Sequence, residues 1–104
     1  MSLEERLRKL IAGGHDAAPA RVSLAQACLG RGDAADAMEH LERALQLDPA
    51  YTAAWKIYGR ALHQEGRGEE AARAWRRGLE LAREHGDRQA EREMQVFLKR
   101  LERG

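Results

Sequence analysis

Between Tyr51 and Gln64 the chain carries Lys56, Arg60 and His63 and no acidic residue. Spacings of four and then three residues bring all three onto one stripe if the segment is helical. Lys56 and Arg60 would then be like charges one turn apart, which costs about 0.2–0.5 kcal/mol of helix stability. Helix stability therefore gives no reason for them. Ammonium and guanidinium groups of this kind make charge-assisted hydrogen bonds to a carboxylate or another anion.

The other residues with chemical capacity are scattered. His15, His40, His63 and His85 lack metal-ligand spacing, and the single cysteine, Cys28, can neither complete a zinc site nor close an internal disulfide. Ser2 and Ser23 have no motif for nucleophilic activation around them. Residues 29–36, LGRGDAAD, contain Arg31-Gly32-Asp33, which in an extracellular protein suggests an adhesion loop, and Gly30-Arg31-Gly32, which resembles half of a phosphate turn. Neither that stretch nor Gly66-Arg67-Gly68 follows a predicted strand or continues to Lys-Ser or Lys-Thr, so both fail the context of a phosphate loop. No catalytic residue, metal site or cofactor site is expected.

The elements that position these groups are read from punctuation and periodicity. Gly13-Gly14, Gly30 to Gly32, Pro49, Gly66 to Gly68 and Gly86 divide the 104 residues, and each segment between them has apolar residues at helical spacing. Val22, Thr52, Ile11, Ile57 and Val96 are the only β-branched residues, which argues against a sheet. Six helices are predicted. Ser2 and Glu5 form a capping box for the first, with Leu3, Leu7, Leu10 and Ile11 as its buried stripe. Asp16 is expected to cap the second, Ala17 to about Leu29, and Asp33 the third, Ala34 to Leu47. The fourth is expected from Thr52 to Gln64 and the fifth from Glu69 to about Glu84. Asp87 caps the last, Arg88 to Arg103, whose apolar face is Ala90, Met94, Phe97, Leu98 and Leu101. Short turns between them make neighbouring helices antiparallel.

The chain also repeats. An offset of 34 residues matches Ala20 with Ala54, Ala27 with Ala61, Gly32 with Gly66, Ala37 with Ala71, Arg43 with Arg77, Leu45 with Leu79 and Leu47 with Leu81. Such a period in an all-helical chain points to a solenoid of helix pairs. Gly32 and Gly66 share a repeat position, and GRGD at 30–33 returns as GRGE at 66–69, so the aspartate does not travel with the turn. Arg31-Gly32-Asp33 is therefore read as a turn and a helix cap.

The second repeat, Trp55-x2-Tyr58-Gly59-x2-Leu62 followed by Ala71-x3-Trp75, resembles the tetratricopeptide repeat family. So does the first, Arg21-x2-Leu24-Ala25-x2-Cys28, then Ala37-x3-Leu41 and Pro49. Arg21 departs from the family's aromatic, Tyr58 and Leu62 swap size order, Gly78 replaces an alanine and Arg83 a second proline. The whole resembles the small stand-alone bacterial members. The resemblance implies a right-handed all-α superhelix, with residues 1–16 as a packing helix and turn, 18–51 and 52–85 as repeats, and 86–104 as a capping helix. Cys28 would pack inertly in the core, as would Trp55 and Trp75.

In this family the first helix of each pair lines a concave groove. The resemblance thus implies that Lys56, Arg60, His63 and Gln64 face a ligand from the second repeat, and Val22, Gln26, Leu29 and Gly30 from the first. A non-catalytic module is expected, holding a short acidic or C-terminal peptide segment. Lys56 and Arg60 would supply charge, Gln26 and Gln64 amide contacts, and Val22 and Leu29 an apolar floor. The rival expectation is an assembly role through self-association of the solenoid edge, with a monomer or weak homodimer as the state in solution. With 18 basic and 17 acidic side chains, a general nucleic-acid binder is not expected. The absence of a long apolar run and of an N-terminal signal pattern points to a cytoplasmic protein away from membranes.

Overall fold

The computed structural model describes all 104 residues. Its six helices are α1 (Leu3–Ala12), α2 (Ala18–Gly30), α3 (Ala34–Leu47), α4 (Thr52–Gln64), α5 (Gly68–His85) and α6 (Arg88–Glu102). No strand is present, and the architecture is an all-α solenoid of antiparallel helix pairs. Each helix packs on its successor, and α4 additionally touches α2 and α6. The helices α2, α4 and α6 therefore line one face side by side.

Local chemistry sets most of the boundaries. Ser2, Asp33 and Asp87 accept from the backbone N–H groups of Glu5, Asp36 and Ala90, the expected caps of α1, α3 and α6. Gly32 and Gly66 take φ of 79° and 77°, a region that side chains avoid, which is why glycine stands at both equivalent turns. Trp55 closes the turn between α3 and α4 by donating Nε1–H to the carbonyl of Pro49 at 2.8 Å.

Two expectations need correction. Asp16 does not cap α2: Ala17 occupies the N-cap and makes no side-chain bond there. Asp16 instead accepts from Arg21 at 2.7 Å and from Arg43 at 3.0 Å, which hold its carboxyl down to about 2. Two guanidiniums engage the carboxylate, and Pro19, the second residue of the helix, has no N–H for a cap to accept from. The second correction concerns α1. Leu7 is buried, but Leu3 and Leu10 are 63% and 48% exposed and Ile11 is half-buried, so the stripe rests on α2 along one edge. Ion pairs complete the attachment: Arg8 to Asp36 at 3.0 Å and Arg31 to Glu4 at 2.9 Å.

The core divides into two clusters. One holds Val22, Ala25, Cys28, Ala37, Leu41, Ala44, Ala54, Ile57 and Ala61, and the other holds Leu62, Ala71, Ala74, Trp75, Ala82 and Met94. Small residues recur because the helices approach closely. A Cβ on Gly59 would lie inside the Trp75 indole, and one on Gly78 would overlap the Met94 sulfur.

A polar cluster sits at the edge of the first core. Arg21 Nη1 donates to His40 Nδ1 at 3.0 Å, so the neutral ring carries its proton on Nε2. That nitrogen is buried without a hydrogen-bond partner and faces Asp36 Oδ1 at 3.6 Å. Burial, aided by the charges of Arg21 and Arg8, pushes His40 below its usual range, against the pull of Asp36. A histidine kept neutral by the fold contributes stability that is present above the unfolded value of about 6.5 and is lost as pH falls below it. The melting temperature should therefore fall between pH 7 and pH 5, before the paired carboxylates titrate, and His40→Gln should flatten that slope. An unchanged slope in the variant would assign the loss to other groups.

Candidate functional site

The face shared by α2, α4 and α6 carries three hollows. Between α2 and α4 lies a cleft of about 200 Å³ lined by Gln26, Leu29, Gly30, Arg60 and Gln64. Between α4 and α6 lies a larger basin of about 780 Å³, lined by Arg60, His63, Gln64, Trp75, Phe97, Arg100, Leu101 and Gly104. Arg60 and Gln64 stand on the ridge of α4 and belong to both. A third hollow, lined in part by Lys56, Ala90 and Glu93, continues the α4–α6 seam.

The residues expected from the sequence fall into three groups. Arg60, His63, Gln64, Gln26 and Leu29 come together along the cleft and basin. Val22 does not: it is 5% exposed within the first core and offers no floor to a ligand. At that position on α2 the side chain points into the packing with α3 and α4 rather than along the groove.

Lys56 lines neither the cleft nor the basin but the third hollow, where its Nζ is paired with Glu93 Oε2 of α6 at 3.1 Å. The expectation that folding gives no reason for the basic stripe is therefore corrected for Lys56. The balancing acid comes from a different helix. Arg60, exposed, takes part in no ion pair of the protein.

Trp75, Phe97, Arg100 and Leu101 also line the basin, although nothing in the sequence reading placed them there. Trp75 is mostly core: it donates Nε1–H to the Lys56 carbonyl at 3.0 Å and packs on Phe97 with centroids 5.1 Å apart. One signal was available for Phe97. Carrying the 34-residue offset forward takes Leu29 to His63 and His63 to Phe97.

The cluster of Cys28, Asp36 and His40 brings three potential ligand atoms within 4.8 Å of one another. Its protonation does not suit a cation. His40 Nε2 carries a proton, and burial and Asp36 raise the Cys28 thiol to about 11. Asp36 already accepts from Arg8 at 3.0 Å and Arg31 at 3.3 Å. A buried thiol of that kind is also a poor nucleophile. A thiol reagent should label Cys28 slowly in the native protein and rapidly in denaturant, and rapid native labelling would contradict its burial.

Stacked antiparallel helix pairs with hollows along one face define a helical-repeat architecture. The chain belongs to the tetratricopeptide repeat family, whose models match residues 29–91 and 4–52. It is 46% identical over 99 residues to a TPR repeat-containing protein of Pseudomonas aeruginosa, covering 95% of this chain and 94% of that one. The solution structure of a Bordetella parapertussis protein superposes with a TM-score of 0.87 at 38% identity, over 99% of this chain and 90% of that one. The crystal structure of a tetratricopeptide repeat domain protein from Salinibacter ruber gives 0.75 at 27% identity, over 82% of this chain and 94% of that one. Tetratricopeptide repeats are generally non-catalytic modules for protein–protein interaction.

Proposed function

We propose that this protein binds a short peptide segment of a partner protein in its concave groove, with an acidic side chain or a C-terminal carboxylate held at Arg60. The observation that carries the reading is Arg60 itself: an exposed guanidinium without a protein partner, on the ridge shared by two hollows. Gln26 and Gln64 flank it with amides, and Leu29 gives the smaller cleft its apolar contact. The working units are the repeats 18–51 and 52–85, with residues 1–16 packing at one end and 86–104 completing the groove at the other. No helix is long and apolar enough to cross a membrane, and we place the protein in the cytoplasm. Nucleic acid is a poor partner for a chain of net charge +1.

Acidic peptides with a free C-terminus should bind weakly and lose affinity as salt rises, because an exposed ion pair is screened within about 10 Å at 0.1 M ionic strength. Titration of such a peptide at two salt concentrations checks this, and salt-independent binding would remove Arg60 from the account. A second reading, self-association through the solenoid edge, draws on Leu3 and Leu10 of α1, which stand exposed. Light scattering across a concentration series separates the two: a strict monomer leaves the groove reading, whereas a concentration-dependent dimer lost in Leu3→Glu supports assembly.

A further inference from the structure

Carried backwards from the two complete helix pairs, the 34-residue register places Leu3, Arg6 and Leu10 of α1 where α3 has Ala37, His40 and Ala44 and α5 has Ala71, Ala74 and Gly78. In α3 and α5 these positions are buried under the first helix of their own pair. Ala37 and Ala44 share a core cluster with Ala25 and Cys28 of α2, and Gly78 lies against Trp55 of α4. By register α1 is therefore a second helix, yet its backbone lies close to α2 alone, which is the first helix of the following pair. Leu3, Arg6 and Leu10 stand exposed on the side that a first helix covers elsewhere. Arg6 and its neighbour Lys9 are also exposed and join no ion pair. The acids of α1 are engaged elsewhere, Glu4 by Arg8 and Arg31 and Glu5 by the Ser2 hydroxyl. The first complete pair shows how a polar residue at the Arg6 position is met: His40 receives a hydrogen bond from Arg21 of its own first helix at 3.0 Å. An arginine at that position needs an acid in the place of Arg21.

We propose that the open side of α1 is a docking surface for an amphipathic helix of a partner protein, which lies antiparallel to α1 and completes it as a helix pair. The docked helix carries a glutamate or aspartate where α2 has Arg21, and that carboxylate pairs with Arg6. Apolar or small residues follow it three, four and seven positions later, as Leu24, Ala25 and Cys28 follow Arg21, and cover Leu3 and Leu10. A second copy of this chain fits the face less well. Arg6 stands between Leu3 and Leu10, three residues from one and four from the other, so two α1 helices related by a two-fold axis would set it against its own mate. The last helix, α6, has first-helix register, but it places Gln89 rather than an acid opposite Arg6 and follows it with Arg92 and Glu93. The surface lies apart from the face shared by α2, α4 and α6, so the assignment stands independently of the groove reading.

The test uses the full chain and two alanine-rich helical peptides. Each has leucine, alanine and leucine three, four and seven residues after one variable position, which is glutamate in the first peptide and lysine in the second. The glutamate peptide should bind at least about tenfold tighter, the effect of one charge-assisted hydrogen bond. Amide NMR shifts on binding should centre on Leu3–Ala12. In Arg6→Glu protein the order of the two peptides should reverse, and Leu10→Ser should weaken both. Both substituted side chains are exposed, and circular dichroism establishes that the variants remain helical. Arg60→Glu should leave the preference intact; its loss there would seat the peptide in the groove and overturn the assignment. Absence of binding by both peptides overturns it too, as does a glutamate preference that survives in Arg6→Glu or an affinity that Leu10→Ser leaves unchanged. A dimer that forms with rising concentration and disappears in Leu10→Ser would give the face to a second copy and overturn the partner helix as its occupant.

Discussion

Gly59→Val should lower the stability of the fold by about 3 kcal/mol or more, at the upper end of what overpacking a core costs. Glycine inside a helix normally costs up to about 1 kcal/mol against alanine, so substitution there would ordinarily be neutral or favourable. Packing reverses the sign. A Cβ at residue 59 falls within the Trp75 ring, which is 3% exposed, hydrogen-bonded to the Lys56 carbonyl and backed by Phe97. The ring cannot yield without breaking those contacts. For a chain of this size the loss corresponds to roughly 12 °C in Tm, at about 4 °C per kcal/mol. Gly30→Ala is the control, because a Cβ there meets nothing within 4 Å and the backbone is in an ordinary region; its Tm should hold or rise slightly. Combining Gly59→Ala with Trp75→Phe should cost less than the sum of the two single changes. Strict additivity would show that the glycine serves something other than the indole.

These residues also show what a linear reading can and cannot see. The helices were legible because their limits are local: glycines that take positive φ, Asp33 and Asp87 within three residues of the N–H groups they cap, and a proline after α3. The 34-residue recurrence then supplied the pairing, since Gly32 and Gly66 stand at the same turn. Side-chain partners drawn from distant helices were not legible. Lys56 was judged by the charges on its own helix, whereas Glu93 lies 37 residues further on. Asp16 has the residue type and position of a cap, and only the fold brings Arg43 within reach of it. The stripe of α1 has the period of a buried face, but periodicity does not say how wide the supporting surface is. The basin was invisible for the same reason: it takes residues from α4, α5 and α6 that each look like core or surface alone.

The Lys56–Glu93 pair makes the outcome of charge changes in the groove asymmetric. Arg60→Glu removes an exposed, unpaired guanidinium and should leave Tm unchanged. It should weaken an acidic peptide by at least tenfold, since a hydrogen bond to a charged group contributes about 1.5–3 kcal/mol. Reversing Lys56 as well, in the Lys56→Glu/Arg60→Glu double variant, should abolish binding. It should also lower stability, by about 1 kcal/mol for the lost pair and further because a second carboxylate would face Glu93. Glu93→Gln should act in the opposite direction. The Glu93 carboxylate occupies the place at Lys56 that a ligand carboxylate would take, so neutralising it releases the ammonium without removing it. Affinity for an acidic peptide should rise several-fold, with only a small loss of stability from a pair whose side chains are 25% and 36% exposed. Reversal of Arg73 and Arg77 on α5, neither of which lines the basin or the α2–α4 cleft, should leave binding nearly intact. Losses equal to those of the groove variant would reduce the interaction to general electrostatics. Weaker binding by Glu93→Gln would show instead that the ion pair holds α6 in place for the ligand, making Glu93 a support of the groove rather than a competitor for it.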